Sequence, residues 1–278
     1  MDITYNGEKK SPVYMPASVV AVVDITPHFR RITLQHELIK EVGFLRPGAH
    51  FKLMFPSGNN GAVQLPDVSS GRPVWANEAD KPLVRTYTVR RIDRKKGTLD
   101  VEFVLHGDNG PAAAWAAKAA IGDTVGVGIK PGKQDASFAD WYLLVGDETA
   151  LPAIAAMLEA FPESVGGVAL LETGQASEIF QIATKSTVEV KWLIRGDVPP
   201  QSSELLLNAI KAISLPDLAP GKRRLWVAGE DSVVKEIRHY FKSMDGIARE
   251  ELNTTVYWKS GMSEDLYQNI RHGEAGAR

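Results

Sequence analysis

The chain predicts a two-domain molecule, a six-stranded antiparallel β-barrel followed by an α/β domain built on a parallel sheet. Three observations carry that expectation. Up to about residue 135, short β-rich runs sit between glycines and prolines, and several alternate apolar and polar side chains as half-buried antiparallel strands do. Beyond that point, continuous apolar strands alternate with amphipathic stretches of helical length, the pattern of a parallel sheet covered on both faces. The length of 278 residues, with 44% hydrophobic and 24% charged side chains, suits a soluble chain of two ordinary domains. The expected division is 1–135 and 136–278, within the Gly132–Ala139 stretch.

The barrel strands are expected at 17–27 (ASVVAVVDITP), 30–35 (RRITLQ), 50–56 (HFKLMFP), 84–93 (VRTYTVRRID), 98–107 (TLDVEFVLHG) and 123–130 (DTVGVGIK). Residues 56–82, rich in Gly, Pro, Ser, Asn and Asp, read as a long loop, and the Ala-rich 111–120 as one short helix. In the second half, strands are expected at 141–146, 166–173, 188–196, 223–230 and 254–261. Helices are expected in LPAIAAMLEAF (151–161), SEIFQIA (177–183), SELLLNAIKAI (203–213) and SVVKEIRHYFKSM (232–244). The tail after Gly261 reads as a short surface helix with a frayed end.

Composition excludes several classes of function. There is no cysteine, so disulfide scaffolds, Cys-ligated zinc, thiol nucleophiles and iron–sulfur clusters are out. The formal net charge of −2, from 32 Lys+Arg against 34 Asp+Glu, gives no pull toward nucleic acid or acidic membranes. The first residues, MDITYNGEKKSPVYM, lack the apolar run of a signal peptide. The longest apolar stretch, 141–161, is interrupted by Asp147 and Glu148 and does not read as a membrane span. A monomer in the reducing cytoplasm is the expectation.

Two segments carry candidate chemistry. In Arg85-Thr86-Tyr87-Thr88, strand alternation puts Arg85 and Tyr87 on one face and Thr88 on the other. A flat redox cofactor needs an aromatic face, a hydroxyl near its polar edge and a cation for its phosphates; a plain surface ladder of β-formers also fits. The second segment runs from a strand through His106-Gly107-Asp108-Asn109-Gly110-Pro111 into a helix. Pro111 suits the first helical position, which leaves backbone N–H groups of 110–114 free for an anion such as a pyrophosphate. An ordinary turn and helix cap also fits, and His106 alone also fits a structural role.

Taken together, RTYT (85–88), VLHGDNGPAAAWA (104–116), WYLLVGDETALPAIAAMLE (141–159), LWVAGE (225–230) and VYWKSG (256–261) resemble the siderophore-interacting proteins. These are FAD-containing ferric-siderophore reductases of the ferredoxin–NADP reductase superfamily, and the resemblance runs from about residue 14 to 262. It implies a ferredoxin reductase-like second domain. It places Arg85, Thr86, Tyr87 and Thr88 against the flavin, and puts His106, Gly107, Asn109, Gly110, Pro111, Ala112, Ala113 and Trp115 around the FAD phosphates and adenosine. Asp147, Glu148, Thr149 and Ala150 then occupy the turn that is Gly-rich and faces the nicotinamide in ferredoxin–NADP reductases. Trp258 and Lys259 fall near the open flavin edge, although Trp258 also reads as a core indole.

Many ferric chelates are anionic, so a reductase needs a cationic pocket beside its flavin. The resemblance supplies Lys52, Lys259 and either Lys130 or Lys133. The implied reaction passes two electrons from FAD, one at a time, to Fe(III) held in its siderophore. It needs no protein metal ligand and no catalytic side chain. For the electron donor, Glu172 at a strand end and the lack of a cation in the following QASE favour NADH over NADPH. The missing fingerprint glycines leave a ferredoxin as the other candidate. A general NAD(P)H–flavin oxidoreductase and a non-catalytic siderophore-binding module are the competing readings.

Overall fold

A computed structural model describes residues 12–56, 63–70, 73–77, 81–105, 110–132, 138–219 and 221–267. His106, Gly107, Asn109 and Lys133 lie outside the described residues, as do the segment between the two sheets at 133–137 and the end of the tail.

The first half forms a curled antiparallel sheet. Its strands are β1 (Val13–Thr26), β2 (Phe29–Gln35), β3 (His50–Phe55), β4 (Leu83–Thr88), β5 (Arg91–Asp93), β6 (Thr98–Val104) and β7 (Thr124–Ile129). The hydrogen-bonded order is β4-β3-β7-β1-β2-β6-β5. Seven strands replace the expected six because 84–93 is not one strand. The chain turns at Val89–Arg90, so that β4 pairs with β3 while Arg90 N donates to Asp100 O at 3.0 Å and β5 pairs with β6. The two edges of the sheet are therefore the two halves of a single run of chain, and that bend takes the place of an unbroken closing ladder. Bulges in β1 between Val19/Ala21 and Asp24/Thr26 add to the curl and let β1 pair with β7 and then with β2.

Alternation decides what this sheet buries. Met15, Ala17, Val19, Phe51, Leu53, Val127 and Phe103 point inward and are essentially free of solvent. Each such large side chain contributes roughly 1.5–3 kcal/mol of burial. A short helix, α1 (Pro111–Lys118), packs Ala112 and Ala116 into this core.

The second half is a five-stranded parallel sheet of β8 (Trp141–Gly146), β9 (Gly166–Thr173), β10 (Thr187–Ile194), β11 (Arg223–Glu230) and β12 (Leu252–Trp258), in the order β10-β9-β8-β11-β12. One face is covered by α2 (Leu151–Ala160) through Leu151, Ile154 and Leu158. The other is covered by α3 (Leu205–Lys211) and α4 (Asp231–Ser243) through Leu206, Ile210, Val234, Ile237 and Phe241. The helix expected over 177–183 does not form: after a 3₁₀ turn at Ala176–Glu178 the chain has no helical residue before β10. Phe180 and Ile182 instead lie on the α2 face of the sheet, where Phe180 is 5.9 Å from Trp192 and 6.0 Å from Phe29. Pairing with an aromatic from the other half outweighs local helical preference.

The halves are fastened polar-side as well. Arg90 is buried and donates to Glu159 of α2 at 2.8 Å while lying 3.2 Å from Glu102. Glu178 accepts from Thr26 and lies 2.7 Å from His28. Thr88 hydrogen-bonds the hydroxyl of Tyr257 on β12, a phenol that burial pushes up to about 12.

Candidate functional site

The RTYT segment is β4, an edge strand, and its alternation follows the expected split. Arg85 and Tyr87 share a face with the barrel core, paired across the ladder with Leu53 and Phe51. Tyr87 lies 4.5 Å, ring centroid to centroid, from Phe103, which is 5.9 Å from Trp115 of α1, itself 5.3 Å from Phe55. This aromatic chain ties α1 to β3, β4 and β6, strands from the two ends of the sheet order that the curl brings together. Burial pushes the Tyr87 phenol up, with the charge of Glu264 adding to it and Arg85 opposing it. At the start of α1, Gly110 provides no side-chain cap and Pro111 sits in the first turn, so the backbone N–H groups that open the helix meet no capping side chain. An aromatic row, the Arg85 guanidinium on the same strand as Tyr87 and an uncapped helix start make a set of groups that fits the ring and the phosphates of FAD.

The opposite face carries a second row. Across four neighbouring strands, Tyr14 pairs with Gly128, Gly128 with Lys52 and Lys52 with Thr86. Gly128 is required there, since a Cβ would lie 2.7 Å from the Tyr14 ring. Lys52 Nζ donates to Thr86 Oγ1 at 2.5 Å. The row ends on Glu264, which accepts from Thr86 N at 3.2 Å and Thr86 Oγ1 at 2.7 Å and lies 3.9 Å from Lys52 Nζ. Next to it, Asp265 pairs with Arg85 at 2.8 Å. Lys130 is exposed just past β7 and makes no ion pair among the described residues.

The third group lies at the carboxyl ends of the parallel strands. The order reverses between β8 and β11, and ligands of such sheets bind outside that point. Asp147 fills it from below. Its Oδ1 accepts from Thr149 N at 2.9 Å and Thr149 Oγ1 at 2.5 Å. Its Oδ2 accepts from Glu230 N at 3.0 Å and Trp258 Nε1 at 2.8 Å. Gly229, at φ +148°, lets the backbone pass, because a Cβ would meet Asp147 Oδ2 at 2.7 Å. Burial raises the Asp147 pKa, and the donated hydrogen bonds oppose that. Ala150 is buried at the cap of α2, so of the predicted turn residues Glu148 and Thr149 keep partial exposure.

Beside Asp147, Glu148 accepts from Gly174 N at 2.8 Å and is held by Arg195 at 2.8 and 3.0 Å. Glu172 is buried and accepts from Ser203 Oγ at 2.6 Å, with Arg195 3.5 Å away. Burial raises the Glu172 pKa, and the nearby Asp147 and Glu148 charges add to it. The acid read as a ribose partner is thus already occupied. The cation missing from QASE is supplied by Arg195, from the end of the next strand.

Lys259 lies 3.6 Å from Asp231, which also takes Lys235 at 2.9 Å and the hydroxyl of Tyr267 at 2.9 Å. The structure therefore joins Lys52, Arg85 and Thr86 through the tail, and Lys259 through Asp231. Glu264, Asp265 and Tyr267 were missed by sequence reasoning because a tail rich in polar residues carries no local sign of where it docks. No helix among the described residues is long and apolar enough to cross a membrane.

Comparison with known proteins is consistent across the chain. The profile described as a siderophore-interacting FAD-binding domain matches residues 18–135, and that described as siderophore-interacting protein matches 139–261. The ferric vibriobactin reductase ViuB of Vibrio cholerae is 34% identical over 252 residues, covering 89% of this chain and 90% of that one. A siderophore utilization protein from T. fusca, also 34% identical, superposes with a TM-score of 0.83 over 92% of this chain and 96% of its own. A ferredoxin NADP+ reductase from Neisseria gonorrhoeae superposes with a TM-score of 0.55 at 12% identity, covering 88% of this chain and 99% of that one, a likeness of fold.

Proposed function

The chain belongs to the siderophore-interacting protein family, and from that premise we propose that it is an FAD-dependent ferric-siderophore reductase. The observation that carries this reading is the two-faced β3–β4 ladder, with Arg85 and Tyr87 of β4 turned to the aromatic row and the cross-strand pair Lys52 of β3 and Thr86 of β4 turned to the other face. When bound, FAD supplies the electrons, delivered singly to chelated Fe(III). The protein's own part is binding and electrostatics. Tyr87, backed by Phe103 and Trp115, gives the ring a rigid platform, with Arg85 and the uncapped start of α1 meeting negative charge. His106, Gly107 and Asn109 would extend that phosphate site. Lys52, Lys259 and one of Lys130 and Lys133 hold the anionic chelate at the outer edge, and their flexible stems adapt to chelates of different shape.

NADH or a ferredoxin is the proposed donor. Asp147, Glu148, Glu172 and Glu230 crowd the carboxyl ends of the parallel strands, where a dinucleotide would lie, and Arg195 is the one cation that pairs with any of them among the described residues. That balance disfavours the extra phosphate of NADPH most. A division near residue 135, a cytoplasmic setting, in keeping with the absence of cysteine, and a monomeric state complete the reading.

The test is turnover by the FAD-loaded protein of a ferric tris-catecholate, with NADH, NADPH and a reduced ferredoxin supplied in turn and Fe(II) trapped by a coloured chelator. Fe(II) formation with NADH or the ferredoxin supports the reading. Protein that takes up no FAD sinks it, and dye reduction without Fe(II) points to a general flavin reductase.

A further inference from the structure

Lys52, Arg85 and Lys259, three of the cations assigned to an anionic ligand, each have an acidic partner, and for two of them that partner comes from the same short stretch of tail. Glu264 reaches Lys52 and both the N–H and hydroxyl of Thr86, while Asp265 pairs with Arg85. Glu264 is largely covered, with a side-chain exposure of 22%, and Arg85 more so at 11%. The stretch is tied at its far end, where Tyr267 donates to Asp231, the residue that also faces Lys259. It is anchored at its near end, where Met262 N donates to Lys259 O at 3.1 Å. Glu264 thus stands inside the field of the cations, Asp265 pairs with Arg85 from the exposed rim with 59% of its side chain open, and both lower the positive charge an arriving chelate meets.

We propose that Glu264, with Asp265 beside it, is a specificity-determining residue that selects ferric chelates by charge, favouring uncharged or weakly anionic complexes over highly anionic ones. This rests on the reductase reading and deepens it. Both acids act on the ligand through space, so their effect scales with the charge of the chelate and is screened by salt. Shape recognition would do neither. At separations near a Debye length, removing one carboxylate changes the affinity for a trianion by about threefold to tenfold at low ionic strength, and scarcely alters that for an uncharged complex.

The experiment measures dissociation constants of a trianionic ferric tris-catecholate and an uncharged ferric tris-hydroxamate for the oxidised FAD-loaded protein, by perturbation of the flavin spectrum. It compares the unsubstituted protein with E264Q, E264Q/D265N and E163Q. The glutamine at 264 keeps an oxygen for Thr86, so the local fold is retained. Glu163 is exposed on the turn after α2 and controls for net charge. The proposal expects E264Q to shift the catecholate-to-hydroxamate affinity ratio toward the catecholate by about threefold to tenfold, more in the double variant, with the shift shrinking at high salt. It expects no such shift in E163Q. An unchanged ratio in E264Q, or an equal shift in E163Q, would overturn it while leaving the reductase reading intact. Failure of the unsubstituted protein to bind either chelate would overturn both.

Discussion

The indole Nε1 of Trp258 donates to Oδ2 of Asp147 at 2.8 Å, linking the last strand of the parallel sheet to the end of its central strand. The bond passes over β11, whose residue Glu230 donates its own N–H to the same oxygen. One buried carboxylate thereby fixes the ends of β8, β11 and β12 together, and sets where Lys259, the next residue, emerges.

Asp147 accepts four hydrogen bonds and every partner is a donor. An amide in its place would present N–H groups to two of them. Asp147→Asn is expected to cost roughly 2–5 kcal/mol, and Trp258→Phe, which removes one donor, roughly 1–3 kcal/mol. Urea unfolding midpoints check both, and equal stability of Asp147→Asn would show that the carboxylate is not the organiser.

Arg195 is the only cation within ion-pair reach of Glu148 and Glu172 among the described residues. Replacing it with methionine leaves two partly desolvated carboxylates unpaired, for an expected loss of roughly 3–5 kcal/mol. Partial recovery is expected in the double variant with Glu172→Gln, since one of the stranded charges is then absent. The same unfolding series measures it.

The buried Glu172 holds its proton more tightly in the folded chain than in the unfolded one, because burial and then the Asp147 and Glu148 charges oppose its ionisation. Between the ordinary glutamate value of 4.5 and the raised folded value, the folded state binds more protons. Stability from this group is therefore greatest below that window and falls as pH rises through it. Glu172→Gln should flatten that part of the curve, which unfolding midpoints taken every half pH unit would reveal.

Lys52 is about half exposed, and its charge is expected to act on the ligand rather than on the fold. Lys52→Gln should weaken binding of a trianionic ferric chelate by about threefold to tenfold at low salt and by little at high salt, with stability within about 0.5 kcal/mol. A loss independent of ionic strength would mean that Lys52 shapes the pocket by contact instead.

The parts of the fold that were legible in the sequence are those written in local pattern. Alternation through β1, β3 and β7, and continuous apolar runs in β8, β9 and β11, announce a curled antiparallel sheet and a buried parallel one. The break at Val89–Arg90 was hidden because Arg90 is held from outside its strand, by Glu159 and Glu102. Phe180 and Ile182 looked helical for the same reason, their partners being distant in the chain. At the site, the motif residues could be found by resemblance, whereas the acids that answer them could not. Thr86 and Glu264 are separated by 178 positions, and a carboxylate in a polar tail looks the same whether it faces water or a guanidinium.

The central claim is that this chain moves flavin electrons onto chelated iron, and a single-turnover count tests it most directly. FAD-loaded protein, reduced stoichiometrically without oxygen, is mixed with excess ferric siderophore and an Fe(II)-specific chromophore. The account predicts full return of the oxidised flavin band and two Fe(II) per FAD, since two electrons leave the flavin and each Fe(III) takes one. A flavin that stays reduced with the chelate present, or is reoxidised without forming Fe(II), would contradict it.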